Sequence, residues 1–312
     1  VSLYNLTKLK QSLTSAVNIS PTVDNINDVK SKLQGIIDEI PDTRPEYKNA
    51  ILTLVKDYEQ ILLRIDQTLK SVDDHVNSID SRILLKTREL FANNYELEER
   101  VGSVEQVRNN RRLEVTADLE VIIRQKIARY TDWKYPVLEI GCRDGEWTQH
   151  LVAGDPLYIT DRHIEFLNST NDRFPPVYQA RLRKYQLIDH NLSALPVNQF
   201  AFVFSWGFFN YVSFDTVTQM LKQLHELMRP GGVFLFSYND GDTPAGAGMA
   251  EKFSQTYLPK SLLVPLCLSL GFELLHDESY GSNISWLEIK KPGTLKTVKA
   301  HQVLGSIEKR EI

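Results

Sequence analysis

Between Tyr47 and Asn94 the chain contains neither glycine nor proline, and apolar residues recur at Ile51, Leu54, Tyr58, Ile61, Ile65, Leu69, Val72, Val76, Ile79 and Ile83. Steps alternating between three and four keep these side chains on one side of a helix for about five heptads. A lone helix has nothing of its own against which to bury such a seam, so the spacing predicts a long helix that meets a partner. The other faces carry Lys56, Asp57, Glu59, Arg64, Asp66, Lys70, Asp73 and Asp74, a pattern suited to water. An earlier helix is expected from about Val23 to Ile40, and the loop IPDTRPEY, with Pro41 and Pro45, breaks the chain between the two. An intramolecular hairpin covers only part of the seam, because a helix from Glu46 to Asn94 runs for roughly 70 Å at 1.5 Å per residue. The lower part is therefore expected to self-associate, making the protein a homo-oligomer through the Ile51 to Ile83 heptads, as a dimer or a trimer.

Composition excludes several classes. The 40 acidic and 36 basic residues among 312 leave a formal charge of -4, which gives no global positive field for nucleic acid or an anionic membrane. Arg181, Arg183 and Lys184 form a local basic patch at most. Cys142 and Cys267 are too few and too far apart for a disulfide framework, and no His/Cys cluster has metal-ligand spacing. No apolar run reaches the roughly 18 residues of a spanning helix. The opening VSLYNLTKLKQSLTS has no apolar signal-peptide core. The expectation is a chain in a reducing compartment, cytoplasmic, or in a virion if its role is structural.

Beyond Gly102 the period changes. A polar EQVRNNRRLE is followed by an amphipathic run, Val115, Leu119, Ile122, Ile123, Ile127 and Tyr130, which reads as a connecting helix. From Pro136 short apolar strands alternate with helices: VLEIG, PLYIT, a weaker KYQLI, FAFVFSW and GVFLFSY. That alternation implies parallel strands with crossover helices, an α/β fold. The organisation expected is a helical coiled-coil region over residues 1–112, a connecting helix over 113–134, an α/β domain over 135–291 and a tail over 292–312.

The chemistry concentrates at the strand ends. In VLEIGCRDGEWTQHL a strand ends at Gly141, a tight loop follows, and a helix is expected near Glu146. Asp161 closes PLYIT, 22 positions after Glu139, where a doubly wound nucleotide site places an acid for ribose hydroxyls. Asp161 also suits an N-cap for IEFLNS. Asp189 and His190 close the third strand in a DHN run that also reads as a turn. HELMRPGGVFLFSYND adds a helix, a Pro-Gly-Gly turn and a fifth strand, and DGDTPAGAG reads as a mobile loop or a plain connector.

As a set, EIGCRDG, Asp161, Asp189 with His190, and RPGGVFLFS resemble the class I S-adenosylmethionine (SAM)-dependent methyltransferases over residues 135–291, about half the chain. The resemblance implies a Rossmann-like, doubly wound, mostly parallel sheet of about seven strands behind the helical segment, and SAM as cofactor. It implies that Glu139, Gly141, Cys142, Arg143 and Gly145 hold the methionine end, that Asp161 binds the ribose, and that Asp189 and His190 flank the adenine. Ser205, at the end of the fourth strand, completes the cofactor-binding set. The family usually has glycine where this chain has Arg143, so the arginine either crowds the cofactor or points outward. Asn239 and Asp240 after the fifth strand, with His163, are the acceptor-side candidates. No NPPY-type motif of the DNA and glutamine methylases is present.

Two functional classes follow. One is a SAM-dependent methyltransferase placed or oligomerised by its coiled coil. The other is a structural or adaptor component of a larger protein assembly, such as a phage particle, with a methyltransferase-like head of reduced or no activity. The first is the preferred reading, and Arg143, the want of an obvious base and the extent of the helical region support the second as its alternative. A nucleotide-binding oxidoreductase fits the fold class but not the motif order after the fifth strand.

Overall fold

The computed structural model describes residues 45–100, 115–281 and 284–295, together with Thr7, Gln11 and Ser31. The expected Val23 to Ile40 helix, the polar stretch after Gly102 and most of the C-terminal tail lie outside the described residues. The chain divides into two compact units whose boundary falls at Arg88 and Glu89, inside a single helix, α1 (Pro45–Arg100). In the first unit, α1 runs without interruption, as its lack of glycine and proline dictates. Ile65, Leu69, Val72, Val76 and Ile83 of the seam are half-buried and Ile79 is buried, while Ile61 is 52% exposed. The side chains of Ile51, Leu54 and Tyr58 lie outside the described residues.

The second unit is a seven-stranded sheet in the order β3-β2-β1-β4-β5-β7-β6. Its strands are β1 (Val137–Ile140), β2 (Leu157–Asp161), β3 (Leu182–Gln186), β4 (Phe200–Ser205), β5 (Met228–Tyr238), β6 (Glu273–Tyr280) and β7 (Ile284–Lys290). The first five are parallel and β7 is antiparallel to both neighbours. This is the Rossmann-like methyltransferase fold. Central strands β1 and β4 are buried along their whole length, whereas β3 and β6 are exposed edges, so the central strands read as continuous apolar runs. The third strand begins at Leu182, two residues before the KYQLI segment. The expected Pro-Gly-Gly turn is instead a bulge within β5, where the register with β4 jumps from Phe200↔Met228 to Phe202↔Val233. Pro230 has no N–H to donate there, and Gly231 adopts φ +84°.

The order reverses between β1 and β4, which opens a crevice at the carboxyl edge of the sheet. One sheet face is covered by α2 (Ala117–Tyr130), whose Leu119, Ile123 and Ile127 are fully buried. Across it, Lys126 binds Glu288 at 2.5 Å and Glu278 at 2.9 Å, and the Tyr130 hydroxyl donates to Glu288 at 2.5 Å. On the opposite face α5 (Phe214–Leu227) inserts Val217, Met220, Leu221 and Leu224 into the core. Two shorter helices, α3 (Ile164–Asp172) and α4 (Pro176–Gln179), link β2 to β3. The glycine-rich segment after β5 forms a helix, α6 (Pro244–Glu251), rather than a loop. Thr243 caps it by accepting from Gly246 N, Pro244 presets its first turn, and Gly246 lies so close to Asp240 O that a Cβ would stand 2.0 Å away. A last helix, α7 (Lys260–Ser269), precedes β6.

Candidate functional site

The crevice is built around the loop after β1. Gly141 and Gly145 adopt φ of +73° and +77°, and between them Arg143 takes φ +49°, a left-handed conformation for which glycine would be unstrained. The strain is held by Asp161, whose Oδ2 accepts from Arg143 N at 3.0 Å while Oδ1 accepts from His163 N at 3.0 Å. Asp161 therefore supports both the β1 loop and the start of α3, whose N-cap position is His163. Burial raises the Asp161 carboxyl above its ordinary value, and the two backbone donors work against that rise. The Arg143 side chain turns into the crevice: its Nη1 lies 3.9 Å from where a Cβ on Gly207 would stand.

Beyond the loop the expected helix near Glu146 is a single 3₁₀ turn, Thr148–His150. Only a short run separates Gly145 from Gly154 and Pro156, and Gly154 is pressed onto Val137, where a Cβ would stand 2.2 Å from Val137 Cγ2. That leaves no room for further helical turns. Glu139, on β1 beneath the loop, is 2% exposed and accepts from Thr148 Oγ1 at 2.6 Å. Burial pushes its carboxyl up to about 8, the Asp161 charge adds to this, and the Thr148 hydrogen bond opposes it. Cys142 is buried, and burial with the Asp161 and Glu139 charges pushes its thiol well above the usual range. Ser205 Oγ donates to Ile140 O at 2.9 Å and straps β4 to β1.

The remaining sequence candidates lie around this centre. Asp189 and His190 adopt φ of +49° and +54° at the turn after β3. His163 has its Nε2 buried without a partner. Asn239 and Asp240 organise the segment after β5: Asn239 Nδ2 donates to Gly246 O and Thr256 O at 3.0 and 2.8 Å, and Asp240 Oδ1 accepts from Asp242 N and Lys260 N, each at 3.0 Å. Neither lines the cleft formed by Gly141, Arg143, Glu146, Trp147, Trp206 and Tyr211. Sequence reasoning missed Thr148, Thr170, which donates to Arg143 O at 2.7 Å, and a buried chain from Gly207 N through Ser237 and Asn210 to Gln255. Single hydroxyls and amides carry no spacing signal. Phe208 lies against Gly141: a Cβ on that glycine would stand 2.8 Å from the Phe208 ring.

The chemistry of this set fits an adenosyl sulfonium amino acid: a buried acid at the end of β2, a guanidinium in the cleft, and orphaned buried donors or acceptors at Trp206 Nε1 and His190 Nδ1. The cleft encloses about 60 Å³, well below the roughly 300–1,000 Å³ of small-molecule sites, so a ligand of that size requires the surrounding side chains to move. Among the described residues no group of His, Cys, Asp and Glu is arranged to hold a metal ion, and no helix is long and apolar enough to cross a membrane.

Fold and crevice define a Rossmann-like, doubly wound α/β domain. More narrowly, the profile of a family described as a methyltransferase domain matches residues 138–234, so that segment of the second unit is methyltransferase-like. Similar solved structures include a SAM-dependent methyltransferase from Mesorhizobium loti, 13% identical, covering 57% of this chain and 100% of that one with a TM-score of 0.47. A putative SAM-dependent methyltransferase from Listeria monocytogenes is 14% identical, covering 55% and 96% with a TM-score of 0.46. The glycopeptide N-methyltransferase MtfA, solved with SAM, is 15% identical, covering 55% and 87% with a TM-score of 0.44. No curated protein matches the chain.

Proposed function

We propose that the chain is a SAM-dependent methyltransferase whose α1 seam joins copies of the chain to one another. The observation that carries this reading is Asp161: a buried carboxylate at the end of β2, bonded to the backbone of the β1 loop that borders the crevice where strand order reverses. The cofactor is S-adenosylmethionine, which when bound supplies an electrophilic methyl group that an aligned acceptor displaces. Asp161 holds the ribose hydroxyls, Arg143 pairs with the amino-acid carboxylate, and Asp189 with His190 flanks the adenine. Trp147, Trp206 and Tyr211 wall the cleft and exclude water. Ile61, 52% exposed, supports the self-association reading.

Calorimetric titration with SAM and with S-adenosylhomocysteine tests the cofactor assignment. Micromolar binding by the chain and none by Asp161→Ala, with oligomeric state unchanged, is the expected result. Equal binding by the variant removes Asp161 from the site. A second reading, a structural or adaptor protein with an inactive head, is favoured by the small cleft volume and by Arg143 lining it where the family usually has glycine; binding of neither ligand by the folded chain would establish it over the first.

A further inference from the structure

The last turns of α1, residues 89–99, belong to the second unit, although the sequence places them at the end of a coiled coil. Leu90, Asn94 and Leu97 are buried there. Asn94 exchanges two hydrogen bonds with the backbone of Tyr257, donating to its O at 2.9 Å and accepting from its N at 2.7 Å. Phe91 meets Tyr257 and Phe214 edge-on, at ring separations of 5.2 and 5.9 Å, and the Tyr95 hydroxyl donates to Asp215. Glu98 accepts from Ser213 N at 2.9 Å and Thr216 Oγ1 at 3.0 Å, and pairs with His190 Nε2 at 2.7 Å. Its backbone carbonyl lies 3.5 Å from Arg162 Nη1.

These partners share one property. Arg162 follows β2, His190 follows β3, Ser213 and Phe214 follow β4, and Tyr257 lies in the segment after β5. Every one of them is at the carboxyl edge of the parallel strands, the edge at which such sheets bind ligands. The helix end thus lies across the loops that a cofactor would contact. His190, held by Glu98, packs edge-on against Phe208 at 5.8 Å, and Phe208 in turn lies on Gly141. The run Glu98, His190, Phe208, Gly141 connects the helix directly to the crevice floor.

We propose that residues 89–99 are a latch that keeps Phe208 over Gly141 and the crevice closed, so that entry of an adenosyl ligand requires this helix end to release His190. The device rests on the cofactor reading above and adds to it a regulatory input: whatever displaces the end of α1 opens the site. Coupling of this kind is reciprocal, so ligand binding also loosens the helix end. The apparent affinity of the closed protein is reduced by the fraction of molecules that are open.

Hydrogen–deuterium exchange and calorimetry on the full chain test this, with S-adenosylhomocysteine as the probe. In Asn94→Ala/Glu98→Ala, where alanine keeps the helix but removes the contacts, exchange at residues 141–145 and 207–209 should rise without ligand. The probe should bind this variant at least about tenfold more tightly than the unaltered chain. Phe208→Ala, which opens the crevice without touching the helix contacts, should also bind more tightly while exchange at 89–99 stays as it was. In the unaltered chain, saturating probe should raise exchange at 89–99. Unchanged loop exchange and unchanged affinity in both variants would overturn the latch and leave the cofactor reading standing. Increased loop exchange with no probe binding by any form would instead overturn the cofactor reading, and with it the regulatory role of the latch.

Discussion

Glu139 offers a sharp thermodynamic test, because its carboxyl is buried beneath the β1 loop and pushed up to about 8 from an ordinary 4.5, chiefly by burial. A carboxyl whose folded value is raised contributes stability that is fully present below pH 4.5 and is lost as pH rises towards 8. At pH 7 the difference corresponds to about 3 kcal/mol relative to the unfolded chain. Glutamine has nearly the shape of the protonated acid, carries no charge, and can still accept the Thr148 hydroxyl through Oε1. Glu139→Gln should therefore be more stable than the unaltered chain by up to about 3 kcal/mol near pH 7. The advantage should vanish below pH 4.5 and level off above pH 8. Urea unfolding followed by tryptophan fluorescence measures this cleanly, since all four tryptophans, Trp133, Trp147, Trp206 and Trp286, lie in the second unit. Parallel pH profiles for the two proteins, or a variant less stable at pH 7, would refute the argument that Glu139 is held against its charge.

Glu98 should behave oppositely: burial alone would raise its carboxyl, but hydrogen bonds from His190 and Ser213 hold it at about 2. Its contribution is present above pH 4.5 and is lost as pH falls towards 2, so Glu98→Gln should flatten the acid limb of the same unfolding profile. Lys126→Met should cost about 3–5 kcal/mol by leaving the fully buried Glu288 without its ammonium partner. Adding Glu288→Leu should restore most of that loss in a double-mutant cycle by urea unfolding. Polar substitutions at Ile61 and Ile65 should dissociate the protein by sedimentation and leave S-adenosylhomocysteine binding unchanged; an unaltered monomer before and after would sink self-association.

Patterns that repeat over a few residues were legible. The α1 helix follows from a seam at three- and four-residue steps with no glycine or proline, and β1, β2, β4 and β5 follow from apolar runs long enough to be buried on both faces. The acid at the end of β2 stands at a spacing that a strand, turn and crossover impose, so Asp161 could be singled out without a structure. Strands β6 and β7 were not picked out individually: β6 is an exposed edge, ELLHDESY, with little apolar signal. The segment DGDTPAGAG looked like a loop because its glycines and proline are breakers in isolation. A Thr243 cap and a close approach of Gly246 to Asp240 make part of it a helix.

What the sequence by itself determined is therefore the element order, the mostly parallel α/β head and the acid that ends β2, all of which are set by local periodicity and short-range spacing. Only the tertiary structure decided that Arg143 turns into the crevice, that Phe208 lies on Gly141, and that the end of α1 belongs to the head. A glutamate on a helix reads locally as a solvated charge; that Glu98 instead binds Thr216, 118 positions away, depends on the path of the whole chain, because it is the fold that brings the segments after β3 and β4 together around one side chain.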